Sequence, residues 1–98
     1  MLRVVNEKMS VTINVDKMVL EKPSGENIIV ETTGKNVGEC LDSLVKQQPL
    51  LKKALFNEKG ELLFDKLYIL NGKYELSNIT NKAIEDGDEI KILKFPEG

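Results

Sequence analysis

The stretch Asp86-Gly87-Asp88-Glu89-Ile90-Lys91-Ile92-Leu93-Lys94-Phe95-Pro96-Glu97-Gly98 governs how the rest of the chain is read. Asp86-Gly87-Asp88 is a turn, because glycine supplies a positive φ at no steric cost and aspartate favours turns. Glu89-Ile90-Lys91-Ile92-Leu93 is a strand. Lys94 to Gly98 form a tail that Pro96 keeps extended, since the residue before a proline is pushed out of the helical region.

Upstream, Val11-Thr12-Ile13-Asn14-Val15 alternates apolar and polar with period two, the pattern of a strand buried on one face. Lys22-Pro23-Ser24-Gly25-Glu26-Asn27 is a turn cluster, and the β-branched run Ile28-Ile29-Val30-Glu31-Thr32 is a second strand. The two predict an opening hairpin with a loose or bulged loop around Asp16 to Glu26. The period then changes. Asn36 caps a helix with Glu39 three residues on, a capping box with Asn in the Ser/Thr place. Val37, Leu41, Leu44 and Val45 share one helical face, and Pro49 stops or kinks the helix. Leu51 and Leu55 point inward from a further short helical turn. Asn57 to Glu61 is a polar turn. Leu62-Leu63-Phe64 reads as a short strand, Leu67-Tyr68-Ile69-Leu70 as a stronger one, Asn71-Gly72 as a tight turn, and Asn78 to Lys82 as a 3₁₀ turn.

Strand, strand, helix, strands implies an α+β fold: a mixed sheet with one face covered by one main helix, and the last strand beside the first. The chain has 98 residues, enough for one domain and one core. The expected division is a lead-in or extension over 1–9, the domain over 10–93 and the tail over 94–98.

Composition removes several function classes. The net charge is −2 and the sequence contains no histidine and one cysteine, Cys40. An acidic balance argues against nucleic acid as the main partner, because phosphate binding needs a basic excess. Without histidine the commonest general base and zinc ligand are gone. One cysteine permits neither an intrachain disulfide nor a cysteine-ligated cluster. Asp86 and Asp88 have no accompanying ligand set, so no metal site is expected. Met1 to Lys8 holds no long apolar run, so neither a signal peptide nor a membrane span is read there, and a reducing cytoplasm is the expected compartment. No autonomous catalytic site is expected. Cys40, beside the helix stripe, is expected to be a buried small side chain.

The order of these pieces resembles the β-grasp, ubiquitin-like sulfur carriers: the small subunit of molybdopterin synthase and the sulfur carrier of thiamine biosynthesis. The resemblance rests on Asn71-Gly72, on Asp86 to Leu93 leading to a chain-terminal glycine, and on Asn36-Val37-Gly38-Glu39-Cys40-Leu41-Asp42-Ser43-Leu44 followed by Pro49-Leu50-Leu51. It spans roughly Ser10 to Gly98.

This resemblance implies that Gly98 carries the working carboxylate. A ubiquitin-activating-type enzyme adenylates it with ATP, sulfur replaces the adenylate to give a thiocarboxylate, and a synthase large subunit or thiazole-type synthase takes the sulfur for a molybdopterin- or thiamine-type product. The carrier itself binds no cofactor. Glycine suits a terminus that threads into another active site, since it has no side chain to clash. Leu93, Lys94, Phe95 and Lys91 are the expected docking residues. Lys91 and Lys94 read equally as docking charges or as edge-strand lysines that prevent aggregation. Phe95 reads as a docking residue or as one packed back on the core. The family ends in Gly-Gly, whereas this chain ends Glu97-Gly98. That departure keeps two rivals open: a β-grasp binding module that carries no sulfur, and ubiquitin-like conjugation to lysines.

Overall fold

The computed structural model describes residues 9–20, 25–63, 65–74 and 79–94, with Met9 and Tyr74 described in backbone only. The chain forms β1 (Met9–Val15), a 3₁₀ turn (Lys17–Leu20), β2 (Ile28–Gly34), α1 (Val37–Gln47), α2 (Leu51–Leu55), β3 (Lys66–Leu70), β4 (Lys73–Tyr74), a 3₁₀ turn (Ile79–Asn81) and β5 (Glu89–Lys94). The sheet order is β2-β1-β5-β3-β4. β1 and β5 run parallel, and every other pair is antiparallel. This is the expected mixed sheet with the last strand beside the first.

One sheet face is dry. Val11, Ile13 and Val15 from β1, Ile90 and Ile92 from β5, and Tyr68 and Leu70 from β3 meet Val37, Leu41 and Leu44 of α1 and Leu51 and Leu55 of α2. Each fully buried aliphatic side chain contributes about 2 kcal/mol of transfer free energy, so helix and sheet stabilise each other. Cys40 belongs to this core. Burial pushes its thiol above the ordinary range, the Glu39 and Asp88 carboxylates add to the rise, and a hydrogen bond with Thr32 opposes it. Thr32 is itself buried, and its hydroxyl donates to the Val11 carbonyl at 2.9 Å.

The cap of α1 differs from the expected box in one detail. Asn36 Oδ1 accepts from the Glu39 N–H at 2.9 Å, as read from the sequence. Glu39 Oε1, however, accepts from the Lys35 N–H at 2.8 Å instead of from Asn36. Asn36 instead pairs with Ala83 in an isolated bridge. The Val37 N–H donates to the Lys82 carbonyl, fixing the start of α1 to the segment after the second 3₁₀ turn. Pro49 then separates α1 from α2, as its missing N–H requires.

Four expectations change. Leu62-Leu63-Phe64 is not a strand: Leu62 makes an isolated bridge with Phe56, the Leu63 N–H donates to the Leu55 carbonyl, and Phe64 lies outside the described residues. Part of the loop after β1 is ordered as the 3₁₀ turn, with Asp16 Oδ2 accepting from Met18 N at 3.0 Å, whereas residues 22–24 of the turn cluster lie outside the described residues. β5 takes in Lys94, which the sequence assigned to the tail, because Lys94 pairs with Lys66 of β3. Met9, read as lead-in, begins β1.

Tyr68 gives a test of core polarity. Its side chain is buried and its hydroxyl donates to the Leu63 carbonyl at 2.7 Å. Burial, with a smaller contribution from Asp65, raises the phenol well above its usual value. A folded-state pKa above the unfolded one means that the unfolded chain gives up the proton first. The contribution is therefore complete below about pH 10, the unfolded phenol value, and falls as pH rises beyond it. The thermal midpoint is expected to fall more steeply above that pH in the wild type than in Tyr68→Phe. Parallel alkaline profiles would contradict this account.

Candidate functional site

The turn 86–88 is a structural clasp. Gly87 has φ +91°. Asp86 Oδ1 accepts from Ser10 N at 2.9 Å and Asp88 Oδ2 accepts from Glu85 N at 2.7 Å. Backbone bonds from Gly87 N to Ser10 O and from Thr12 N to Asp88 O join it to β1. Both carboxylates are thus engaged by main-chain donors. The Asn71-Gly72 turn, with φ of +50° and +82°, holds the same strand from the other side. Asn71 Oδ1 accepts from Glu89 N at 2.9 Å, and Asn71 N donates to Glu89 O at 2.8 Å.

β5 is therefore fixed at its start by two turns and along its length by β1 and β3. A strand bonded on both sides is a rigid base for whatever follows it. Phe95, Pro96, Glu97 and Gly98, the proposed reacting tail, lie outside the described residues.

The four expected docking residues do not share a face. Ile90 and Ile92 point into the core, so by alternation Lys91 and Leu93 stand on the opposite, outer face and Lys94 returns to the inner side. Leu93 lies directly across from Leu67 of β3, and Lys91 from Ile69. Leu67, Ile69 and Leu93 are half-buried and Lys91 is exposed. The outer face thus carries an apolar patch of Leu93, Leu67 and Ile69 with a lysine at its border. Leu67 and Ile69 escaped the sequence reading, because only the β3–β5 register joins them to Leu93. The edge-strand reading of Lys91 and Lys94 is corrected: β5 lies between β1 and β3, so its lysines protect no open edge. Lys94 faces Lys66, whose ammonium pairs with Asp65 at 2.9 Å.

Solved structures of the same architecture match this arrangement. Small archaeal modifier protein 1 from Haloferax volcanii superposes with a TM-score of 0.70 at 26% identity, over 91% of this chain and 98% of that one. The Amycolatopsis orientalis BexX/CysO complex contributes a chain with a TM-score of 0.71 at 25% identity, over 90% and 98%. This chain has the ubiquitin-like β-grasp fold. Small archaeal modifier protein 1 from Methanosarcina acetivorans shares the fold with a TM-score of 0.74 at 24% identity, over 95% and 99%. No protein-family model and no curated protein sequence matches the chain. The family resemblance read from the residues and the structural neighbours agree on the ubiquitin-like sulfur-carrier group as the one this chain is similar to. Among the described residues, no helix of this ubiquitin-like chain is long and apolar enough to cross a membrane, and no group of three or more His, Cys, Asp or Glu could hold a metal ion.

Proposed function

We propose that this ubiquitin-like protein is a sulfur carrier that works through the carboxylate of Gly98. The observation carrying the reading is the likeness, along nearly the whole chain, to small archaeal modifier protein 1 and to CysO, the latter solved in complex with BexX. The placement of β5 supports it: a central strand with an apolar outer patch immediately precedes the last residues of the sequence.

In this reading the chain supplies the carboxylate and a docking surface, and partners supply catalysis. A carboxylate is a poor electrophile. Attack of the Gly98 carboxylate on the α-phosphorus of ATP, in the site of a ubiquitin-activating-type enzyme, gives an acyl-adenylate and releases pyrophosphate. A sulfur nucleophile then displaces AMP and leaves the thiocarboxylate. Leu93, Leu67 and Ile69 form the contact with the partner, and Lys91 borders it. A sulfur-accepting synthase takes the sulfur onward in biosynthesis of a molybdopterin- or thiamine-type product. Cys40 takes no part, since its thiol is in the core and burial disfavours the thiolate.

Intact-protein mass spectrometry tests this directly. The chain is incubated with ATP, a sulfur donor and the adenylating enzyme from the same source, alongside a version ending Gly-Gly. The expected result is a shift corresponding to one oxygen replaced by sulfur in the chain as given, lost in Gly98→Ala. A shift only in the Gly-Gly version would mean that Glu97 blocks loading. No shift in either, with an enzyme active on its own carrier, would leave the binding-module reading.

A further inference from the structure

The sheet has an open edge that the carrier reading does not use. β2 is the outermost strand beside β1, and among the described residues no strand pairs with its other side. The main-chain groups facing outward follow from the hydrogen bonds. Thr12, the Cα partner of Glu31, turns its N–H away, toward Asp88 O. Glu31 therefore directs its own N–H and C=O away from β1, and with period two Ile29 and Thr33 do the same. Such a row of donors and acceptors is a template for another strand.

The edge has three further features. Ile29, on the outer sheet face beside it, is 65% exposed. The Glu31 carboxylate is fixed on that same face by the hydroxyls of Thr12 at 2.8 Å and Ser10 at 3.2 Å. On the helix side runs an open groove of about 370 Å³ lined by Thr33, Lys35, Glu39, Asp42, Ser43 and Lys46. A strand laid along β2 would place alternate side chains against Ile29 and Glu31 and the intervening ones toward this polar groove. One contact guards the edge: Gln47 of α1 donates its Nε2–H to the Glu31 carbonyl at 2.8 Å.

We propose that the β2 edge is a strand-addition site for an extended segment of a partner protein bearing an apolar residue opposite Ile29 and a basic residue opposite Glu31, with Gln47 as the group it displaces. Charge selects the occupant. In the fully overlapped antiparallel register a second copy of this chain would set Glu31 against its own counterpart, and like charges directly opposite are destabilising. A lysine or arginine there gains the opposite-charge pair instead. Main-chain bonds supply the attraction and the alternate side chains the selectivity. The site lies at the β2 end of the sheet, separated from β5 by β1, and does not depend on sulfur carriage.

The test is a ¹⁵N NMR titration of the full chain with a capped peptide, Thr-Ser-Lys-Ser-Val, against the same peptide with Glu in place of Lys. Shifts are expected at the amides of Ile29, Glu31 and Thr33 and at the side-chain amide of Gln47, with slowed exchange of those three backbone N–H groups. The basic peptide should bind about fivefold more tightly than the acidic one, the size of one cross-strand charge pair. Glu31→Lys should invert that preference, and Gln47→Ala should tighten binding of both. Ile29→Pro removes an outward N–H without touching a β1 bond and should abolish binding. Shifts confined to Leu67, Ile69 and Lys91 would overturn the proposal, as would no shift at saturating peptide or equal affinity for both peptides. Dimerisation of Gln47→Ala in sedimentation would overturn it in favour of a second copy.

Discussion

Gly34→Ala is expected to cost about 2–3 kcal/mol of folding stability, as overpacking against atoms that cannot rotate away does. Gly34 ends β2 where α1 packs down on the sheet. A Cβ there would lie 2.7 Å from Glu39 Cβ, 2.9 Å from Cys40 N and 3.1 Å from Glu39 C. Two of those three atoms are main chain. Relief therefore requires lifting the first turn of α1, which the Asn36 cap, the bridge to Ala83 and the Val37–Lys82 bond hold in place. Against a total of about 5–15 kcal/mol for an ordinary domain, this is a large fraction. Urea unfolding should show a lower midpoint at an unchanged slope. A loss below about 0.5 kcal/mol, the level of an unremarkable surface substitution, would mean that α1 slides freely on the sheet.

Leu93→Asp is expected to raise the KM for the adenylating partner about 30-fold, equivalent to losing a contact of about 2 kcal/mol at the centre of an interface. Leu93 stands on the outer face opposite Leu67, one residue before the end of β5. A carboxylate there would have to be desolvated each time the patch docks. Some intrinsic stability is lost too, because Leu93 is half-buried. Loading is therefore measured well below the variant's own unfolding midpoint. Ile29→Asp, on the same face but at its far end, serves as the control and should load normally. Wild-type loading by Leu93→Asp would remove the patch from the docking surface and leave the Gly98 chemistry standing.

Much of this architecture was legible in local sequence. Alternation in Val11 to Val15 and helical spacing in Val37, Leu41 and Leu44 mark the buried faces because each element has its own period. Asn71-Gly72 and Asp86-Gly87-Asp88 mark turns because only a few residues tolerate their backbone angles. Leu62-Leu63-Phe64 misled because a short apolar run carries no period. Leu62 is buried in the core although it makes only an isolated bridge and no strand pairing.

The resemblance to sulfur carriers also came from the order and spacing of these pieces, and it singled out Gly98. Only the tertiary structure decided the rest. Leu93 and Leu67 are separated along the chain by β4, the second 3₁₀ turn and the 86–88 turn, and their patch exists through the β3–β5 register alone. Whether β5 is central or an edge, and which strand is left open, are likewise settled by strand order. Local sequence fixes periods, turns and buried faces because these depend on neighbours along the chain. Strand order and register depend on closing long loops against one shared core, and that closure is decided by the whole molecule.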